Sequence, residues 1–205
     1  MINTIQNNSE IVLDQSAQNL LFLTARTANR FTDDPVSDEQ LKAIYELVKW
    51  APTSLNQQPL RALVVRSERA RQRLVDCMYG ANGEKTAKAP VTIIFAADTD
   101  FHEHLPEQFP VYPEAKNEMF ADEGARVTSA RLNATLQIAY FILGVRAAGL
   151  AAGPMTGFDV SRLQREFFPA GKHQPLVVMN IGKPGTHAWF DRLPRLNYED
   201  VFNIA

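Results

Sequence analysis

Val91-Thr-Ile-Ile-Phe-Ala-Ala97 is a continuous apolar run bounded by turn residues, and Pro175-Leu-Val-Val-Met-Asn-Ile-Gly182 is a second. A strand with one wet face alternates apolar and polar side chains, so runs without alternation belong to interior strands covered on both faces. Helices must therefore flank the sheet. Ala62-Leu-Val-Val-Arg66 adds a third strand, and the pattern shows no more than three.

The helices can be read outward from these strands. Ser37 with Gln40 three residues later forms a capping-box pattern, Leu41, Ile44 and Val48 line one face of the helix that follows, and Pro52 marks its end. Leu20, Leu21 and Leu23 form an earlier helix that exits into Arg26-Thr-Ala-Asn-Arg30. The stretch from about Glu123 to Gly149 is a long helix whose second half (Ile138, Ala139, Tyr140, Phe141, Ile142, Leu143, Val145) is apolar nearly all round. Such a helix is central or buried between subunits, and the subunit interface is the favoured expectation. Asp98 to Asn117 is rich in proline and charge without a period, the signature of a long excursion serving as a lid or partner contact.

A length of 205 residues with 45% hydrophobic content supports one domain, 1–205, with 1–15 expected as a flexible leader. A formal charge of -2 offers no general positive field for nucleic acid. Met1 to Gln15 lacks a basic start followed by an apolar core, and Leu136 to Ala152 is interrupted by Arg146 and two glycines. Neither a secretory signal nor a membrane span is expected, and the chain is assigned to the cytoplasm. The single cysteine, Cys77, lies in the helical-looking Arg73–Tyr79 without a metal-spacing partner or adjacent histidine, so it reads as inert. His102 and His104 have no nearby cysteine or third histidine, so no metal site is expected, and His173 and His187 read as solvated loop residues. There is no Gly-x-Gly-x-x-Gly, P-loop or Gly-x-Ser-x-Gly motif.

Four elements remain that can carry chemistry. Arg26, Thr27 and Arg30 offer guanidinium and hydroxyl donors suited to a phosphate dianion, although alone they read as a solvated helix face. Pro52-Thr-Ser-Leu-Asn-Gln-Gln-Pro-Leu-Arg61 presents Ser54, Asn56 and Gln58, able to bond the ribityl chain and pyrimidine edge of a flavin, or else to form an ordinary turn. Gly149-Leu-Ala-Ala-Gly-Pro-Met-Thr-Gly-Phe-Asp159 carries glycines at 153 and 157 that allow close backbone approach to a planar ligand, with amides aimed at flavin N5 and O4. Its plainer reading is a helix C-terminus with a linker. Arg192-Leu-Pro-Arg195 is a second cation pair or a charged tail.

In this order, these elements resemble the nitroreductase superfamily of FMN enzymes over nearly the whole chain, from about Ala25 to Asp200. Ala25-Arg-Thr27, Lys49-Trp-Ala-Pro-Thr-Ser54, Gly153-Pro-Met-Thr-Gly-Phe158 and Arg192-Leu-Pro-Arg195 are most similar to its branch of malonic semialdehyde reductases and NADH dehydrogenase/NAD(P)H nitroreductases. The resemblance implies an α+β, three-layer α-β-α fold with a mixed, mostly antiparallel sheet, assembled as an intertwined homodimer with FMN at the interface. It puts cofactor contacts at Arg26, Thr27, Asn29, Pro52, Ser54, Asn56, Gln58, Pro154, Met155, Thr156, Gly157, Arg192 and Arg195. No catalytic side chain is implied: NADH or NADPH binds transiently and a small-molecule substrate follows it in a ping-pong cycle through flavin N5.

Two positions depart from the family. Asn29 stands where many relatives carry a cation near flavin N1 and O2, a duty that passes to Arg30 or Arg61 unless the potential is lower here, and Thr156 replaces the usual glutamate. Malonic semialdehyde is the branch-level substrate, and Lys116, Arg126 and Arg131 are candidate partners for its carboxylate. The competing readings are a broad nitroaromatic or quinone reductase, a non-catalytic flavin-binding protein and a structural domain without flavin.

Overall fold

The structure, a computed structural model, describes residues 11–205. Most of the expected leader, 1–15, lies outside the described residues. Asp14 caps helix α1 (Gln15–Gln18), which runs on through a π-type turn at Asn19–Leu23. In chain order there follow α2 (Asp38–Val48), β1 (Leu60–Val65), α3 (Glu68–Val75), α4 (Ala81–Lys88), β2 (Val91–Asp98), α5 (Leu105–Gln108), α6 (Ala115–Glu118), α7 (Glu123–Ala147), β3 (Ala151–Met155), α8 (Val160–Phe167), β4 (His173–Gly182) and α9 (Tyr198–Val201). The capping box at Ser37 is present: its side chain accepts from the Gln40 amide at 3.2 Å while its own amide donates to Gln40 Oε1 at 3.0 Å. That closes two otherwise unpaired donors of α2.

The strands form one sheet in the order β1-β2-β4-β3. Both apolar runs read from the sequence are its interior strands, and all eight residues of β2 are buried. Successive side chains of β2 divide the core between the two faces. Ile93 and Phe95 pack with Ile44, Val48, Ile138, Phe141 and Val145 of α2 and α7, while Ile94 packs with Leu74 of α3 and Leu163 of α8. This alternation makes the three layers. Phe95 and Phe141 meet edge to face at 4.9 Å, an arrangement worth about 1 kcal/mol beyond the area it buries.

Several expectations change. Every described pairing is antiparallel, not mixed, because β2 is inserted between β1 and β4, the two strands that run the same way. A fourth strand, β3, replaces the turn read at Ala151–Met155, and Pro154 is tolerated there because β3 lies at the sheet edge. His173 opens β4, half-buried and edge-on to Phe168, instead of sitting in a solvated loop, whereas His187 is exposed. The apolar half of α7 is sided: Ile138, Phe141 and Val145 enter this chain's own core, while Leu132, Leu136 and Tyr140 form an exposed stripe at four-residue spacing. The 98–117 excursion is ordered, with Phe101, Leu105 and Ala115 closing a third apolar cluster on Ala130 and Ala134 of α7. Among the described residues, no helix is long and apolar enough to cross a membrane.

Candidate functional site

The segment Ala25–Arg30 is pinned from two sides. The Ala28 amide donates to Ala152 of β3 at 3.0 Å, and the Asn29 amide donates to Ala188 of the loop after β4 at 2.9 Å. The first bond is possible because residue 153 is glycine: a β-carbon there would lie 2.6 Å from the Ala28 carbonyl oxygen. Close packing of these two backbones brings Thr27 and Asn29 to the end of β3. Together with Pro154, Met155, Thr156 and Gly157 they line a cleft of about 270 Å³.

The amides of Thr156 and Gly157 donate to no acceptor among the described residues, since the adjacent bonds all use other groups. Tyr79 and Asn82 both donate to the Gly157 carbonyl oxygen, at 3.0 and 3.1 Å, which fixes the Gly157–Phe158 peptide that follows these amides. Two neighbouring undonated amides beside an open cleft are donors in search of an acceptor. Asn180 forms part of the wall, its side-chain oxygen held by the Thr92 hydroxyl at 2.7 Å.

Asn82 and Lys85 of α4 line the same cleft, and the sequence reading missed both. The stretch Ala-Asn-Gly-Glu-Lys-Thr-Ala-Lys has no apolar period, so the helix itself was not visible. The one available signal was an amide and a cation three residues apart, on one helical face. Lys85 thus brings a cation to the cleft that Asn29 lines.

The four sequence elements do not all meet. The Arg26 guanidinium donates to the Phe190 carbonyl oxygen at 3.2 Å and lies over the Trp189 ring at 5.8 Å, while Arg192 donates to the carbonyls of Leu23 and Ala25. These two chain segments, 23–26 and 189–192, are thus gathered at one place. Arg195 bonds only Leu193 and Pro194 among the described residues. Arg30 opens instead onto a neighbouring cleft.

The Pro52–Gln58 loop lies elsewhere. Pro52, Asn56 and Gln58 border a separate hollow of about 310 Å³ with Tyr45 and Trp50. Leu60 pairs with Ala97 at one sheet edge, whereas Gly153 pairs with Asn180, and Asn180 with Thr92, at the other. Three strand spacings across and five residues along the strands separate them by roughly 20 Å. The loop is held tightly where it is. Asn133 of α7 accepts from the Ser54 amide at 2.8 Å, Asn56 and Gln58 both donate to Gln108 of α5 at 2.8 Å, and buried Gln57 bonds Ser129. These bonds sustain left-handed backbone at Leu55, Asn56 and Gln58, each costing about 1 kcal/mol or more in a residue with a β-carbon.

Three other candidate cations are committed. Arg61 pairs with buried Asp98 at 2.6 Å, Lys116 with Glu103, and Arg126 donates to the Phe120 and Ala121 carbonyls. Arg131 is exposed and makes no ion pair among the described residues. Cys77 is buried, and burial pushes its thiol above the ordinary range. Among the described residues, no three His, Cys, Asp or Glu side chains gather as a metal would require.

The pattern described as the nitroreductase family matches residues 23–183, which contain both the cleft and the Pro52–Gln58 loop. The chain belongs to the nitroreductase family. It is accordingly an oxidoreductase of that family. A Streptomyces griseus protein that carries the name NADH dehydrogenase/NAD(P)H nitroreductase is 57% identical over 195 residues, covering 95% of this chain and 99% of its own. A Ralstonia nicotianae protein of the same name is 42% identical over 193 residues, covering 94% and 98%. In fold, the chain is similar to an Exiguobacterium sibiricum nitroreductase solved in complex with FMN, at a TM-score of 0.79 with 20% identity, covering 96% of this chain and 99% of that one. A Bacillus subtilis nitroreductase gives a TM-score of 0.80 with 21% identity, covering 88% and 95%.

Proposed function

We propose that this nitroreductase-family chain binds FMN and uses it to pass two electrons from NADH or NADPH to a small oxidised substrate. The observation that carries the reading is the cleft at the end of β3, where Thr27 and Asn29 face Thr156 and Gly157 beside two undonated amides. Such a set fits a flavin ring, whose flat face and polar edge need close backbone approach and fixed donors; for the phosphate, the Thr27 hydroxyl lies in the cleft and the Arg26 guanidinium is one residue away. The FMN-bound structure from Exiguobacterium sibiricum, similar in fold, supports the same group.

When bound, FMN supplies the electron transfer itself, so the chain's part is position and polarity. Thr156 and Gly157 offer their amides to the ring edge, and Asn82 holds the carbonyl of the peptide that follows them. Lys85 and Asn29 serve the pyrimidine side, where a cation stabilises negative charge on the ring. Arg26 and Thr27 take the phosphate, and Arg192 steadies the segment that carries them. Arg26→Ala should lower FMN retention.

Ser54, Asn56 and Gln58, roughly 20 Å from the cleft by strand geometry, cannot serve the same ring within one copy. We read them as completing the site of a second copy, in a homodimer with two flavins. The exposed stripe Leu132, Leu136 and Tyr140, and the exposed Leu193, Leu196 and Phe202 of the C-terminal segment, support a large apolar interface. A monomer in solution with a full flavin complement would refute this assembly.

The substrate reading is malonic semialdehyde, reduced to 3-hydroxypropionate, supported by likeness to that branch in the Lys49–Ser54 and Arg192–Arg195 segments. Arg131 is the candidate partner for its carboxylate. Anaerobic mixing of the flavin-loaded protein with NADH or NADPH should bleach the flavin, and malonic semialdehyde should restore it faster than quinones or nitroaromatics. A flavin that neither nucleotide bleaches would end the enzymatic reading.

A further inference from the structure

A cleft of about 610 Å³ opens beside the proposed flavin cleft and shares Asn29 and Lys85 with it. Arg30, Lys85 and Lys88 line it against one acid, Glu84. None of the three cations makes an ion pair among the described residues. The whole chain carries a formal charge of -2, so this local excess of positive charge is not the general character of the surface. Lys85 and Lys88 lie a helical turn apart on one face of α4, which leads away from the Gly157 end of the flavin cleft. Phe31, Trp189 and Phe190 make much of the rest of the lining aromatic. Trp189 already lies against Arg26, and Phe190 stands 73% exposed with no aromatic partner among the described residues.

We propose that this cleft receives the adenosine end of NADPH, with Lys88 and Arg30 on the ribose 2′-phosphate and Phe190 against the purine. The inference rests on the FMN-dependent reading and goes beyond it by setting the choice of reductant. A purine and a 2′-phosphate hang on one ribose, so their site must set an aromatic face beside cations, as this cleft does. NADH has the same purine but a 2′-hydroxyl there, which leaves the two cations without a dianion to neutralise. The sharing of Lys85 and Asn29 makes this cleft continuous with the flavin cleft, which the nicotinamide must also enter.

The test uses the FMN-loaded protein and two probes, 2′-phospho-ADP-ribose and ADP-ribose, titrated by calorimetry. The phosphorylated probe should bind about tenfold or more tighter, and Lys88→Ala and Arg30→Ala should each remove about tenfold of that preference. Lys88→Arg should retain it. In steady-state assays, Lys88→Ala should raise KM for NADPH about tenfold while kcat holds. Equal binding of the two probes, or a preference untouched by Lys88→Ala, overturns the proposal. So does a fall in FMN per chain in Lys88→Ala, because it would put the cofactor's own phosphate in this cleft. Should the wild-type protein take up no FMN, its absorbance reports failure of the flavin reading separately, and the same titration still decides the cleft.

Discussion

Gly153→Ala puts the pinning of Ala25–Arg30 on β3 to the test. The added methyl would lie 2.6 Å from the Ala28 carbonyl oxygen, about 0.8 Å inside ordinary contact at 3.4 Å. The obstructing atom is backbone, so no rotamer change relieves it. Either β3 bends away or the Ala25–Arg30 segment lifts, stretching the 3.0 Å bond from the Ala28 amide to Ala152. Overpacking costs about 1–3 kcal/mol. A weakened backbone hydrogen bond adds about 1 kcal/mol, for a loss near 2–4 kcal/mol. The site suffers as well, because Thr27 and Asn29 move relative to Thr156 and Gly157, and displacement on this scale costs about 10- to 100-fold. Gly144→Ala is the matched control. Its methyl meets the Val48 and Ile44 side chains between α2 and α7, away from the cleft. There a gain of about 1 kcal/mol in helix propensity offsets part of the overpacking. Urea unfolding gives the stability of each variant, and fluorescence titration with FMN, under conditions where both are folded, gives affinity. Gly153→Ala should lose affinity and Gly144→Ala should keep it. Wild-type FMN affinity in folded Gly153→Ala, or parallel losses in both variants, would refute the reasoning.

Lys85→Met should make the flavin midpoint potential more negative by tens of millivolts, about 30 mV for each 1.4 kcal/mol of lost stabilisation of the reduced ring, measured by dye-coupled redox titration; an unmoved potential would remove Lys85 from the ring. Burial and the neighbouring Arg126 and Lys116 hold His102 below its ordinary value of 6.5, against the opposing carboxylates Glu103 and Asp100. The unfolded chain therefore takes the proton first, so this contribution to stability is fully present above pH 6.5 and falls as the pH drops below it. His102→Gln should flatten that part of a denaturation profile, and an identical slope would show that His102 plays no part. Cys77, with its thiol pushed up by burial, should resist iodoacetamide at pH about 8 in the folded protein and react on unfolding; rapid labelling of the native chain would contradict its burial.

What could be read from sequence follows from where each instruction resides. Val91–Ala97 and Pro175–Gly182 announced themselves because burial on both faces demands apolar residues at every position, and Ser37 with Gln40 because a capping box is local chemistry. Ala151–Met155 did not, since Ala-Ala-Gly-Pro-Met has no strand propensity and becomes a strand only by pairing with β4. The insertion of β2 between β1 and β4, which makes every pairing antiparallel, is likewise a tertiary fact without a local signature. At the site, Thr27, Asn29, Thr156 and Gly157 were legible as motif residues and do meet. Asn82 and Lys85 were hidden on a polar helix without periodicity. The roughly 20 Å between the cleft and the Pro52–Gln58 loop could not be read, because motif order along a chain carries no distance.

The hold of Asn133 on the Ser54 amide gives α7 a metric role. Val145, twelve residues further along the same helix, accepts from the Leu150 amide at the start of β3, so one rod of about 18 Å ties the loop to the strand that bears Gly153. A helix fixes phase as well as length. Adding one residue between these anchors would turn one end about 100° against the other, whereas adding four would nearly restore the direction and lengthen the rod by about 6 Å. In the two-fold pair proposed above, the same error would be repeated in both copies. The residue count between Asn133 and Val145 is therefore a dimensional tolerance of the machine, set by geometry and blind to which side chains fill it.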